Sequence, residues 1–139
     1  MAKNNEVVTT ILRVFLGATF FIHGLAKFQG GIENTVGFFE SLGLPGFSAY
    51  MVAIIELVGG AAVILGIGTR IISILFAIIL AVATVKVKLA IGFLGNGQMA
   101  GYELDLALLV ISVYTATTKG TVLSLDNVLF NSEKTKKAA

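Results

Sequence analysis

The sequence predicts an all-α integral membrane protein, a bundle of four transmembrane helices. The first observation behind this class is composition: 56% of the 139 residues are hydrophobic, 13% are charged, and the mean hydropathy is +0.93. An average soluble domain has about twice that share of charged residues, and a small one needs them to cover its surface. The second is that the apolar residues are gathered in long runs, each able to cross roughly 30 Å of hydrocarbon. Lipid is therefore the solvent that suits this chain.

The apolar runs predict helices at residues 8–29, 47–67, 69–92 and 101–118. The last run is the shortest, so it would cross the bilayer nearly upright. Glycine-rich turns separate the runs, because glycine supplies the backbone freedom that turns require. They are Gly30-Gly31, Pro45-Gly46, Gly66 with Gly68, and Gly95-Asn96-Gly97. The first run is predicted to remain a helix rather than be cleaved as a signal peptide, because Arg13 interrupts it and no small-residue cleavage site follows.

Two shorter segments are predicted to lie along the membrane surface. In the connection at 30–46, apolar side chains recur every three residues from Val36, which predicts a short interfacial helix. The segment 124–130 is predicted to do the same on the other side. Residues 1–130 are therefore expected to form a single domain, and the polar residues 131–139 a disordered tail.

Basic residues are distributed unequally between the two ends of the predicted helices. One end receives Lys3, Arg13, Arg70, Lys119 and the C-terminal lysines, and the other receives Lys27, Lys86 and Lys88. In multi-pass proteins, the end richer in lysine and arginine faces the cytoplasm. The expected location is therefore the cell membrane, with both termini in the cytoplasm.

Composition also excludes several kinds of function. The chain has no cysteine, which rules out thiol–disulfide exchange and iron–sulfur ligation by its own side chains, and one histidine cannot form a bis-histidine haem site alone. No metal site is predicted. The net charge of +2 is too small to indicate nucleic-acid binding. The lipid bilayer is the expected partner, and either a redox subunit or a second copy of the chain would be a further one.

Ionisable residues inside the predicted helices need an explanation, because each costs about 2.5–3.5 kcal/mol to insert. On the first helix Arg13, His23 and Lys27 fall within roughly 80° of arc. Leu16 and Phe20 lie in the same arc. The first helix therefore turns a single polar face to the interior of the bundle.

The second helix carries Glu56 near the middle of the membrane, where a carboxylate costs most. Glu56 shares a face with alanine and glycine residues, a pattern typical of close helix packing. Pairing of Glu56 with His23 or with Lys27 would lower the cost of insertion. Either pair would join the first two transmembrane helices.

A second ion pair is predicted between the third and fourth helices. Lys88 lies on the small-residue face of the third helix, whereas Lys86 points nearly opposite. At the start of the fourth helix, Glu103 and Asp105 point in nearly opposite directions, so only one of them is expected to face inward. Glu103 is the residue predicted to pair with Lys88.

Simpler explanations compete for most of these residues. Lysines near helix ends can extend to the headgroups, and the arginines can anchor the topology. His23 equally fits a hydrogen-bonded core residue, and Leu16 and Phe20 fit ordinary packing. Glu56 is the exception, because its short side chain cannot reach water from the middle of the membrane.

Five short motifs follow one another between residues 11 and 130. They are Arg13-x3-Gly17-x5-His23-Gly24-x2-Lys27, Glu56-Leu57-Val58-Gly59-Gly60 with Leu65-Gly66-x3-Arg70, Val87-Lys88-Leu89 with Gly92-Phe93, Tyr102-Glu103, and Ser124-Leu125-Asp126. Their content and order resemble the DoxX family of small bacterial membrane proteins. The resemblance implies a four-helix membrane protein of a family often labelled oxidoreductase. Some relatives look like subunits of quinone-reducing enzymes, and others are linked to catechol or hydroquinone stress.

One position departs from the family pattern. Lys88 stands where family members often have a histidine, so the position keeps a polar group but loses one that titrates near neutral pH. A proton relay through this position is therefore not expected.

The favoured function is a membrane oxidoreductase subunit that handles a quinone or a phenol. Such a site needs an apolar slot, hydrogen-bonding groups and a proton source. The catalytic candidates are Glu56, His23 and Lys27, and the substrate-binding candidates are Leu16, Phe20, Lys88 and Glu103. The chain carries no flavin, haem or metal motif, so the sequence identifies no cofactor, and a quinone is the candidate. A redox role would require a partner subunit or a substrate that exchanges electrons with quinone directly.

Two other functions stay open. A non-catalytic membrane scaffold for a partner enzyme explains the missing cofactor motif but not Glu56. A small-solute or proton-coupled transporter would use the same buried charges, although four helices are few unless the protein dimerises. The sequence alone leaves open whether the chain is itself an enzyme.

Overall fold

The computed structural model describes residues 2–119 and 123–138, and the regular elements within these residues are all helical. The helices are α1 (Ala2–Gln29), α2 (Ile32–Ser41), α3 (Gly46–Leu65), α4 (Thr69–Ala83), α5 (Glu103–Thr117) and α6 (Leu125–Ala138). A π-helical turn over Thr84–Lys88 continues α4. The predicted all-α class is confirmed.

Within the described residues, three helical segments are long and apolar enough to cross a membrane: Lys3–Gln29, Gly46–Leu65 and Thr69–Lys88. They correspond to the first three predicted runs. The fourth run forms α5, which has 15 residues and is therefore about 22 Å long at 1.5 Å per residue. That length is shorter than the hydrocarbon core, so a fourth crossing stays a prediction.

The connection between the first two spans contains the predicted short helix, α2, and none of its residues is buried. Its position on the membrane surface stays a prediction. The helix α6 continues to Ala138, so residues 131–138 are helical where the sequence predicts disorder. Lysine, glutamate and alanine in this segment are strong helix formers. Residue 139 lies outside the described residues.

The helices α1 and α3 run antiparallel and pack backbone to backbone. A Cβ atom added to Gly24 would lie 2.5 Å from the backbone nitrogen of Leu57, and one added to Gly60 would lie 2.5 Å from that of Phe21. A Cβ at Gly17 would lie 2.7 Å from the carbonyl oxygen of Gly60. These distances are shorter than van der Waals contact, so only glycine fits. The close approach brings Lys27 of α1 within reach of Glu56 of α3.

Side chains from four helices form the apolar core. They are Leu16 and Phe20 of α1, Val63 of α3, Phe76 and Leu80 of α4, and Leu108 of α5. The rings of Phe20 and Phe76 are stacked, with centroids 3.8 Å apart and planes 5° from parallel. Between α5 and α4, the Thr115 hydroxyl donates a hydrogen bond to Ser73 Oγ at 2.9 Å. The core therefore ties α1, α3, α4 and α5 into one unit.

The start of α6 closes the end of the bundle at the turn between α3 and α4. Asp126 Oδ2 accepts a hydrogen bond from the backbone N–H of Gly68 at 2.8 Å, and the Asp126 N–H donates to the Gly66 carbonyl at 3.2 Å. Both glycines have positive φ angles, +76° and +57°, a conformation that glycine adopts without strain. Arg13 Nη2 donates to the carbonyl of Leu123 at 2.5 Å. These bonds anchor α6 to the bundle.

Candidate functional site

Two ion pairs of the described residues lie in the half of the bundle opposite the end at which α6 is anchored. Lys27 Nζ of α1 is 2.5 Å from Glu56 Oε2 of α3, and Lys88 Nζ, at the end of the π-helical turn, is 2.8 Å from Asp105 Oδ1 of α5. The carboxylate side chains are only 7% and 8% exposed, whereas the lysine side chains are 23% and 22% exposed. Each pair therefore has a buried anion and a cation that extends toward the surface.

The sequence predicts one of these pairs correctly and the other incorrectly. Glu56 pairs with Lys27, one of its two predicted partners. Lys88 pairs with Asp105, and the predicted partner Glu103 is exposed. The reason is the register of α5: Asp105 shares the buried face with Leu108, Ser112 and Thr115. Glu103, two residues earlier, points about 200° away.

A pocket of about 120 Å³ lies between α1, α3, α4 and α5, and both buried carboxylates line it. We call it the carboxylate pocket. Its polar lining consists of Thr19, His23, Glu56 and Asp105, and its apolar walls are Phe20, Ile79, Leu80, Ala83, Leu104 and Leu108. The pocket thus combines mostly apolar walls with two acids, one imidazole and one hydroxyl.

The seven residues predicted for the site occupy three different positions relative to this pocket. Phe20, His23 and Glu56 line it. Lys27 and Lys88 contact its two carboxylates without lining it. Leu16 is fully buried in the core, and Glu103 is exposed. The structure therefore brings five of the seven into or beside one pocket and leaves Leu16 and Glu103 apart.

Three further residues belong to the site although the sequence prediction omits them as site residues. Asp105 lines the pocket and holds Lys88, and its spacing with Leu108 and Ser112 is the sequence signal that favours it. Thr19 lines the pocket one residue before Phe20. Phe76 supports Phe20 from α4 by ring stacking, and an isolated aromatic residue in an apolar helix gives no sequence signal for that contact.

The residues that the structure describes include no group of three or more histidine, cysteine, aspartate or glutamate side chains arranged to hold a metal ion. The lining of the carboxylate pocket itself offers two carboxylates, an imidazole and a hydroxyl. Carboxylates and an imidazole accept or donate protons, and apolar walls bind a flat ring. A small ring with polar substituents is the kind of molecule that this combination suits.

Lys88→Leu is expected to lower the free energy of unfolding by roughly 3 kcal/mol, the lower end of the range for a broken buried pair. The substitution leaves the Asp105 carboxylate buried without its cation. Lys86→Leu is the matched control: Lys86 is exposed on the same turn, and its loss should change stability by less than about 0.5 kcal/mol. Thermal unfolding of both purified variants measures the difference. Equal losses would show that Asp105 does not depend on Lys88.

Known proteins provide two matches to this chain. The model of the DoxX family matches residues 8–89, which include α1 from residue 8 onward, all of α2, α3 and α4, and the π-helical turn. The chain is also 46% identical over 134 residues to a protein named "Putative oxidoreductase CatD" from Bacillus subtilis (strain 168). That alignment covers 96% of this chain and 96% of the relative. No solved structure matches the chain significantly.

Proposed function

The chain belongs to the DoxX family, and from this premise we propose that it is a membrane oxidoreductase subunit that binds a one-ring quinone or phenol in the carboxylate pocket. The observation that carries the proposal is the lining of that pocket, where the buried Glu56 and Asp105 carboxylates meet apolar walls. The 46% identical relative is named as an oxidoreductase, which supports the same class of reaction.

The size of the pocket favours one ring. Its volume of about 120 Å³ is comparable with the roughly 150 Å³ of a cavity that admits benzene in another protein. Phe20 offers an aromatic wall that is held in place by its stack with Phe76. A ring with two oxygen substituents would place apolar carbons on these walls and direct its oxygens to the acids. A long isoprenoid tail would have to remain outside.

The proposed reaction needs proton acceptors as well as a route for electrons. Oxidation of a hydroquinone or catechol to its quinone releases two protons and two electrons. His23, Glu56 and Asp105 are the groups of the pocket that accept protons, and Lys27 and Lys88 pair with the two carboxylates. The electrons pass to a flavin- or haem-carrying partner subunit. Reduction of a quinone would run the same steps in reverse.

We also propose that α5 is a fourth crossing and that both termini face the cytoplasm. The helix α5 is bonded to α4 near both ends: Thr115 meets Ser73 at one end, and Asp105 meets Lys88 at the other. It therefore lies alongside a helix that can span the membrane. The excess of lysine and arginine near the termini supports the orientation.

Filling the carboxylate pocket tests the proposed binding. Ala83 lines the pocket, whereas Ala81, on the same helix, is exposed. Ala83→Leu is expected to weaken binding of catechol to purified protein in nanodiscs by about tenfold or more, the effect of losing roughly 1.4 kcal/mol. Ala81→Leu adds the same carbons outside the pocket and should bind as the unmodified protein does.

Equilibrium dialysis with labelled catechol measures both affinities, and cyclohexane-1,2-diol serves as the matched ligand without an aromatic ring. If the two variants bind catechol equally, the ligand does not occupy the carboxylate pocket. If the diol binds as tightly as catechol, the pocket does not select an aromatic ring.

A non-catalytic scaffold is the second candidate function, and the ion pairs favour it. Each buried carboxylate already has a lysine partner, which is what a purely structural role would require. The two candidates differ in what Glu56 must do, because a scaffold needs its charge only for stability.

A further inference from the structure

A second pocket, of about 350 Å³, lies at the other end of the bundle from the carboxylate pocket. We call it the cation pocket, because Arg13, Arg70 and Lys119 line it. One carboxylate, that of Asp126, is also in its lining. Three cations and one carboxylate give the lining of this pocket a net charge of +2. The pocket has no part in the reaction proposed for the carboxylate pocket.

The three cations of the cation pocket differ in their burial and in how far nearby groups balance their charge. Arg13 is buried, donates to the carbonyl of Leu123 and interacts electrostatically with Asp126, so its charge is largely balanced. Arg70, at the start of α4, and Lys119, just after the end of α5, are exposed. Two separate elements therefore contribute the surplus positive charge to the same cavity.

Hydroxyl groups complete the lining. Thr69 stands beside Arg70 and lines the pocket. Thr118 stands beside Lys119 and also lines it, but its hydroxyl donates to the carbonyl of Tyr114 at 2.6 Å. A guanidinium, an ammonium and hydroxyl donors are the groups that proteins use to bind phosphate oxygens. Their combination here suits an anion with several oxygen atoms better than a single chloride or carboxylate.

The position of the pocket along the membrane axis narrows the choice of anion. One candidate span ends at Leu65 and the next begins at Thr69, and the pocket is lined by Gly66 and Thr69 of the turn between them. The pocket therefore lies where membrane-spanning helices emerge from the hydrocarbon. Phosphate esters of lipid headgroups are concentrated at this depth, and anionic ones attract lysine and arginine.

We propose that the cation pocket binds the phosphate group of an anionic phospholipid headgroup. The phosphate lies between Arg70 and Lys119, with the hydroxyl of Thr69 as a further donor, and the rest of the 350 Å³ accommodates the headgroup alcohol. The lipid joins the start of α4 to the end of α5. Its binding therefore stabilises the end of the bundle at which α6 is anchored.

The test uses the full chain in nanodiscs of phosphatidylcholine, with and without phosphatidylglycerol, and follows thermal unfolding and lipid retention by native mass spectrometry. The unmodified protein is expected to retain phosphatidylglycerol selectively and to unfold at a higher temperature in its presence. Arg70→Gln/Lys119→Gln is expected to weaken that retention by about tenfold or more, because the phosphate loses its charge-assisted hydrogen bonds. Unchanged unfolding in pure phosphatidylcholine shows that the variant is folded.

Two controls separate the pocket from other sources of the effect. Lys136→Gln/Lys137→Gln removes the same charge from exposed positions of α6 outside the pocket lining and should retain phosphatidylglycerol fully. Equal losses in the two double variants would assign the effect to general surface charge and overturn the proposal. Inorganic phosphate added in phosphatidylcholine nanodiscs should give no comparable stabilisation. Stabilisation equal to that by phosphatidylglycerol would assign the pocket to a soluble anion instead of a lipid.

Discussion

Replacing Glu56 by glutamine is expected to lower the proposed oxidoreductase activity by about a hundredfold or more while the bundle stays folded. Glu56 lines the carboxylate pocket, and its Oε2 is 2.5 Å from the ammonium of Lys27. Glutamine keeps the shape of the side chain and an oxygen that accepts the hydrogen bond from Lys27. It cannot exchange a proton at neutral pH. A positioned acid or base contributes roughly 10²–10⁴-fold to a rate, which sets the expected loss.

The matched control for this substitution is Glu103→Gln. It makes the same chemical change on an exposed residue outside the pocket, so activity and stability should both be retained. Activity is measured as protection of a deletion strain against catechol and hydroquinone, with each variant present at equal level in the membrane. Thermal unfolding of the purified variants provides the second measurement, because loss of the Lys27 counter-charge alone also costs some stability.

The two measurements separate the candidate functions. Loss of protection with folded protein at the normal level supports a role for Glu56 in proton transfer. Protection that falls only in proportion to folded protein would show that the carboxylate holds α1 to α3 and does nothing further. A Glu56→Gln variant that is fully stable and fully protective would remove Glu56 from the chemistry and favour the scaffold.

The polar interior of the bundle could be predicted from the sequence because helical geometry fixes which residues share a face. Arg13, His23 and Lys27 of α1 recur at the helical repeat, and Glu56 shares a repeat with small residues. Few arrangements of two packed helices turn both of these faces toward the interior of the bundle. A pairing of Glu56 with the polar face of α1 follows from that constraint, since it lowers the cost of burying the carboxylate, but the sequence leaves His23 and Lys27 both open as the partner.

The partner of Lys88 could not be fixed in the same way. Glu103 and Asp105 both lie in the first turn of α5, where two residues of separation reverse the direction of the side chain. The choice between them depends on which face of α5 packs against α4. That face is mostly polar, because Asp105, Ser112 and Thr115 are buried on it beside Leu108. Hydrophobic periodicity gives little guidance for such a seam.

The carboxylate pocket itself depends on contacts between residues far apart in the sequence. Phe20 and Phe76 stack across α1 and α4, and the volume left beside them is set by side chains of four helices. Periodicity places a residue on a face but does not give the distance between two faces. The site residues could therefore be predicted in part, whereas the size of the pocket could not.

Gly60→Ala is expected to lower the free energy of unfolding by roughly 3 kcal/mol, the upper part of the range for an overpacked core. A Cβ atom there would lie 2.5 Å from the backbone nitrogen of Phe21 and 2.7 Å from the carbonyl oxygen of Gly17. Both contacts are with the backbone of α1, which cannot rotate away as a side chain can. Relief requires α1 to move away from α3, and that movement would also stretch the contact between Lys27 and Glu56.

Two other glycines make the test specific. At Gly59 a Cβ would meet the side chains of Ile72 and Phe76 at 3.0 and 3.3 Å, and at Gly37 it would meet nothing within 4 Å. Side chains can shift by a few tenths of an ångström, so Gly59→Ala should be less destabilising than Gly60→Ala. Gly37→Ala should be neutral or should stabilise by up to about 1 kcal/mol, because alanine favours helix.

Thermal unfolding of the three purified variants should therefore rank Gly60→Ala as the least stable, then Gly59→Ala, then Gly37→Ala. Activity should follow the same order, since α1 and α3 together hold Phe20, His23 and Glu56 in the carboxylate pocket. If Gly60→Ala is as stable as Gly37→Ala, the two helices do not pack backbone to backbone. In that case the ion pair between Lys27 and Glu56, which depends on the close approach, would need another explanation.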